Sequence, residues 1–231
     1  MQIIDEATLK ALITHKFGNY VVQRLLERSE VFRRQIGKVC LESPETFIQF
    51  ATNEYSSRVL QVLVGFEASF SIEVVSLLKA CLSVVANNAS ATFLLTATLK
   101  ALNNDEHFLF IIENLRQRQD YWLGKRFFKR ILVSLIKFSN EKALADIYLS
   151  ISDIFSNSNL FDDKYSVFIA MALLDRRYRP AEMALTALIR NRLADIVLKK
   201  EFKYFIANLA NGTYDSISRV IYSAINELRF N

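Results

Sequence analysis

The chain has 231 residues, 52% of them hydrophobic and 23% charged, with a formal charge of +5 and a pI near 9.2. That balance excludes a disordered chain, which lacks the apolar area to offset the cost of ordering its backbone. The mild basicity is compatible with nucleic acid and does not require it. Only 5 Gly and 2 Pro punctuate the sequence, so long helices with short connections are expected.

Cys40 and Cys81 lie far apart and have no metal-ligand spacing, which argues against a disulfide framework and for a reducing compartment. The first residues carry no basic segment followed by a long apolar run, so no signal peptide is expected. No stretch approaches about 18 to 20 uncharged apolar residues, so no membrane-spanning helix is expected. These features fit a soluble intracellular protein. His15 and His107 are the only histidines, no Cys/His or His/Asp set has ligand spacing, and no Gly-rich phosphate loop is present. We therefore expect no catalytic residue, metal, cofactor or small-molecule substrate. His15 is read as a capping or packing residue.

In chain order, residues 6–14 read as a helix. A second helix opens at Gly18-Asn19, with Val21, Val22, Leu25 and Leu26 recurring on one side and Asn19, Tyr20 and Gln23 on the other. Two amides one turn apart suit a base edge, because an amide both donates and accepts, and the ring can stack on a base. Residues 32–41 continue as helix. Pro44 after Ser43 suits a helix start, with Glu45 and Thr46 in the first turn. Ser57-Arg58-Val59-Leu60-Gln61 then repeats the Asn19–Gln23 pentad 38 positions later.

Helices are also expected over 70–86, 106–117, 142–155 and 181–200, the last opened by Pro180. Asn87-Asn88-Ala89-Ser90, Ser139-Asn140, Asn157-Ser158-Asn159 and Asn211-Gly212 read as connections. The adjacent acids Asp105-Glu106 and Asp162-Asp163 fall at loop or helix starts, where the helix dipole favours them. Nothing reads as a strand series, and no linker splits the chain, so residues 1–231 are expected to form a single helical-repeat domain.

The segment Phe17-Gly18-Asn19-Tyr20-Val21-Val22-Gln23 resembles the centre of a Pumilio/FBF (PUF) repeat, and Glu54 to Gln61 resembles a second. The resemblance sets weaker copies in register at Thr92–Thr96, Lys125–Lys129, Val167–Met171 and Ser218–Tyr222. Their second residues are Tyr20, Arg58, Phe93, Arg126, Phe168 and Arg219, rings and guanidinium groups that can stack on bases. The resemblance implies an all-α, right-handed curved α-solenoid of about six stacked repeats.

It further implies that the first and fifth residues of each pentad meet a base edge while the second stacks. Asn19 and Gln23 with Tyr20 then resemble a uracil-reading set, and Ser57 and Gln61 with Arg58 an adenine-reading set. Because the family runs antiparallel to RNA, a 5′-A-U-3′ step is implied. Thr92 and Thr96 beside Phe93 are short and reach a base through water. Lys125 and Lys129, with Arg126 and Arg130, suit phosphate better than base edges. Val167 and Met171 cannot hydrogen-bond an edge, and Ser218/Tyr222 is ambiguous.

The expected partner is single-stranded RNA, held by Asn19, Tyr20, Gln23, Ser57, Arg58, Gln61, Thr92, Phe93, Thr96, Lys125, Arg126, Lys129 and Arg219. Effector proteins would dock on the convex face. Regulation of mRNA in the cytoplasm is the leading expectation. A nucleolar role on precursor rRNA and a protein-binding helical scaffold are the alternatives.

Overall fold

A computed structural model describes residues 4–102, 105–156, 164–198, 202–212 and 214–229. Among them all regular structure is helical, and no strand forms. The chain divides into two compact units, Met1–Asn140 and Glu141–Asn231. The division falls at Ser139-Asn140, one of the expected connections.

In the first unit the helices are α1 (Glu6–Thr14), α2 (Gly18–Arg28), α3 (Glu30–Cys40), α4 (Pro44–Thr52), α5 (Ser56–Leu63), α6 (Ala68–Ala80), α7 (Leu82–Val85), α8 (Ala89–Leu102), α9 (Leu109–Gln117), α10 (Gln119–Leu123) and α11 (Arg126–Phe138). Polar residues at their starts satisfy N–H groups that have no partner within the helix. Asp5 accepts from Thr8 N at 2.9 Å, Ser29 from Phe32 N at 3.3 Å, and Ser43 from Thr46 N at 3.2 Å with Pro44 opening α4 as expected.

Helices of about ten residues are marginal alone in water, so packing must hold them. Leu9, Ile13, Val22, Leu26, Phe47, Val59, Leu60, Leu94, Leu95, Ile131 and Leu132 are buried, each contributing about 1.5–3 kcal/mol. They join α2 to α5, α5 to α8 and α8 to α11 in one row. Gly18 permits a close approach of α2 to α1. A Cβ there would lie 2.7 Å from the Leu12 carbonyl oxygen and 3.1 Å from Leu12 Cα, so any side chain would push α2 off α1. Val21, expected in the core, is exposed.

The expected 70–86 helix is interrupted at Cys81, whose backbone (φ −116°, ψ 26°) leaves the helical region, dividing α6 from α7. Ala89 and Ser90, expected in a connection, form the first turn of α8. Cys40 and Cys81 are free and buried, and burial pushes the Cys40 thiol up to about 12. It therefore stays protonated and packs as a small apolar side chain.

In the second unit the helices are α12 (Glu141–Ile151), α13 (Asp153–Ser156), α14 (Lys164–Asp175), α15 (Arg179–Leu198), α16 (Lys203–Asn211) and α17 (Asp215–Arg229). The expected 142–155 helix is interrupted at Ser152. Pro180 sits in the first turn of α15 as expected, and α15 bends at Arg192 (φ −137°, ψ 15°). α15 packs against α13, α14 and α17, and α16 against α17. Asn157-Ser158-Asn159 and Asp162-Asp163 lie outside the described residues. No helix among the described residues is long and apolar enough to cross a membrane.

Candidate nucleic-acid interface

In the first unit, α2, α5 and α8 each open in the same way. A side chain four residues before the pentad collects the free N–H groups of the turn. His15 Nδ1 accepts from Phe17 N at 3.3 Å and Gly18 N at 3.1 Å. Asn53 Oδ1 accepts from Tyr55 N at 2.9 Å and Ser56 N at 3.1 Å, and Asn88 Oδ1 from Ala91 N at 3.0 Å. The capping role of His15 matches its sequence reading. Asn53 and Asn88 were missed, although their spacing to Ser57 and Thr92 equals that of His15 to Asn19. Asn88 also donates to Thr52 O at 3.2 Å, tying the start of α8 to the end of α4.

These caps set the rotation of each helix, and a burial pattern repeats along the pentads. In α5 and α8 the first residue is buried, the second exposed, the third and fourth buried, and the fifth half-buried. The second residues form a surface row. Tyr20 is 55% exposed and Phe93 48%. The Arg58 side chain is 44% exposed and ion-paired with Glu54 at 3.0 Å. Arg58 Nη1 lies 3.4 Å from Tyr20 Oη, towards which it donates, so the two share one face. The Arg130 guanidinium sits 5.0 Å from the Phe93 ring centre. A groove of about 720 Å³ opens along this row, lined by Tyr20, Gln23, Arg58, Gln61 and the unpredicted Lys100.

The first residues of the pentads face inward, contrary to the expected edge pairs. Asn19, Ser57 and Thr92 are all buried. Asn19 Nδ2 donates to His15 O at 2.9 Å and Lys16 O at 2.8 Å, while its Oδ1 accepts from Gln23 Nε2 at 2.9 Å. Asn19 therefore closes the turn and holds Gln23, whose Oε1 makes no hydrogen bond among the described residues. Ser57 Oγ donates to Glu54 O at 3.4 Å. Thr92 Oγ1 reaches Val85 O and Asn88 O, each at 2.9 Å. Thr96 Oγ1 donates to Thr92 O at 3.0 Å and lies 3.3 Å from Ser134 Oγ. The amides that reach the groove are thus single fifth residues, Gln23 and Gln61.

The fourth pentad lies at the start of α11. Lys125 precedes α11 with extended backbone (φ −87°, ψ 116°), and its Nζ lies 4.7 Å from the Tyr121 ring centre, with Arg118 at 4.8 Å from the same ring. The Arg126 side chain lies outside the described residues, and Lys129 is half-buried. The cation beside Phe93 is Arg130, one turn later. In the second unit, Phe168 is 53% exposed between buried neighbours Val167 and Ile169, repeating the pattern of α5 and α8. Arg219 is exposed on α17, one residue after Ser218, whose hydroxyl donates to Leu209 O at 3.0 Å.

Residues 10–36 and 47–64, which include the first two pentads and their caps, match the family model described as Pumilio-family RNA binding repeat. These two segments carry the Pumilio-family repeat signature. No curated protein sequence matches the chain significantly.

Solved PUF structures match it in fold. PUF-8 in complex with PBE-RNA is 14% identical with a TM-score of 0.75, covering 93% of this chain and 63% of that one. The Puf3 RNA-binding domain bound to the Cox17 RNA 3′ UTR recognition sequence, site B, is 16% identical with a TM-score of 0.77, covering 94% and 62%. The RNA-binding domain of yeast Puf5p bound to SMX2 RNA is 14% identical with a TM-score of 0.66, covering 91% and 59%. The chain therefore spans less than two thirds of the length of these three PUF chains. The likeness shows the PUF α-solenoid fold in a chain whose sequence retains the family pattern only in its first repeats.

Proposed function

We propose that this chain binds single-stranded RNA along the row formed by α2, α5, α8 and α11, and acts by occupying its target in cytoplasmic control of mRNA. The observation that carries the reading is the placement of Tyr20 and Arg58. They are exposed, 3.4 Å apart at their polar ends, and flank the groove that Gln23 and Gln61 also line. An unpaired base can slide against the Tyr20 ring or the Arg58 guanidinium plane, each such stack being worth about 1–3 kcal/mol. Gln23 Oε1, left open by the bond from Gln23 Nε2 to Asn19, accepts an N–H from a base edge, as the uracil ring offers. Lys100 supplies charge for phosphate.

No bond is made or broken in this mechanism, so its consequence depends on what the bound RNA excludes or recruits. The RNA-bound state of PUF-8, Puf3 and Puf5p in their solved structures supports the reading. The decay of the later pentads favours a second process, handling of precursor rRNA in the nucleolus. Sequencing of copurifying RNA separates the two, with mRNA 3′ untranslated regions expected against precursor rRNA.

The direct test is an anisotropy titration of the whole chain with a short labelled RNA containing adenine and uracil, repeated at several salt concentrations. Binding should weaken linearly in log–log form as salt rises, because neutralised phosphates release counterions. Absence of binding at low salt would overturn the proposal and favour a protein-binding scaffold.

A further inference from the structure

The second unit contains a small pocket beside its one pentad with the α5-like burial pattern. It is lined by Val167, Phe168 and Met171 of α14, and by Phe202, Tyr204, Phe205 and Asn208 at and within α16, and has a volume of about 350 Å³. Phe168 and Met171 are the second and fifth residues of the α14 pentad. Tyr20 with Gln23 and Arg58 with Gln61 hold those same positions around the groove of the first unit. In both places, then, a cavity opens at the second and fifth residues of a pentad.

The chemistry has been rearranged. Met171 replaces the fifth-position amide and has no edge to offer a base. Asn208 brings an amide to the same pocket from α16. It lies one turn after Tyr204, so the ring and the amide share one helix face. Among the described residues, the Asn208 side chain makes no hydrogen bond. Tyr204 is 83% exposed and Phe168 53%, high values for aromatic side chains at a mostly apolar pocket. Lys203 stands exposed beside Tyr204, and no acidic side chain lines the pocket.

We infer that this pocket holds one unpaired nucleobase of a bound RNA, stacked against Phe168 and Tyr204, with Asn208 supplying the edge contact that Met171 has lost. The pocket is at the small end of the range for molecular ligands, and its aromatic walls with one placed amide suit a flat, neutral, polar-edged ring. An apolar peptide would use the walls and leave Asn208 without a partner. The inference rests on the RNA-binding reading of the first unit, and it adds Tyr204 and Asn208, which belong to no pentad, to the stacking position that Phe168 holds.

The test compares two labelled RNAs on the whole chain, a four-nucleotide adenine–uracil probe and a sixteen-nucleotide probe of mixed sequence. Tyr204→Ala should weaken the long probe about 5- to 150-fold, the range of one lost stack, and leave the short probe unchanged. Tyr204→Phe should restore binding, because the ring is what matters. Asn208→Ala should flatten the base preference at one position of the long probe. Tyr204 is so exposed that its removal does not disturb packing, and circular dichroism checks this. If Tyr20→Ala weakens both probes while Tyr204→Ala weakens neither, the inference is overturned and the pocket is left to a peptide. If Tyr20→Ala weakens neither, it is the reading of the first unit that fails.

Discussion

The two units differ most clearly at the fifth pentad residue. In the first two pentads of the first unit it is Gln23 on α2 and Gln61 on α5, both half-buried at the groove, with Thr96 and Lys129 in the next two. In the α14 pentad of the second unit it is Met171, in an aromatic pocket. The second residue changes less, being Tyr20, Arg58 and Phe93 in one unit and Phe168 in the other, all exposed. Stacking needs only a flat face and survives drift of the sequence. Edge recognition needs a particular donor and acceptor and is lost with one substitution. A repeat protein that diverges should therefore lose base discrimination before it loses the capacity to hold a strand.

The sharpest way to break the comparison is to unfold one side of it. Phe47→Ala removes a fully buried ring between α4 and its neighbours and should cost about 3–5 kcal/mol of stability. Hydrogen exchange should rise across α4, α5 and α8. An equal rise across α15 and α17 would contradict two separately packed cores. Asn19→Ala should cost about 1–3 kcal/mol of stability in the absence of RNA, because the carbonyls of His15 and Lys16 lose their buried donor. Denaturant unfolding measures it, and an unchanged midpoint would return Asn19 to a purely RNA-facing role. The finest probe makes the first unit resemble the second. Gln23→Met should remove about 0.5–1.5 kcal/mol of discrimination between bases opposite α2, the net worth of one hydrogen bond. Affinity for the disfavoured base should barely move, and competition titrations with single-base variants of the RNA read both.

Much of this was legible in the sequence because helix periodicity is local. The all-α class, the first two pentads, the Pro44 and Pro180 helix starts and the capping by His15 follow from patterns a few residues long. The inward turn of Asn19 does not. Spacing puts Asn19 and Gln23 on one helix face, but Asn19 lies in the first turn, where the carbonyls of His15 and Lys16 compete for its amide. The fourth pentad is harder to read for another reason. Lys125-Arg126 and Lys129-Arg130 repeat one turn apart, so the sequence alone does not say which cation meets Phe93; in the structure Arg130 does. The breaks at Cys81 and Ser152 fall within helix-compatible sequence and carry no Gly or Pro to mark them. The pocket around Asn208 joins residues some 40 positions apart, beyond the reach of any pentad pattern.

The account depends on Tyr20 and Arg58 gripping the same strand. The most direct measurement is the affinity of the Tyr20→Ala/Arg58→Ala double variant for the short adenine–uracil RNA, with folding checked by circular dichroism. Loss of two stacks predicts a fall of about 2–6 kcal/mol, enough to abolish measurable binding for a probe of that length. A folded double variant that binds as tightly as the unaltered chain would contradict the account.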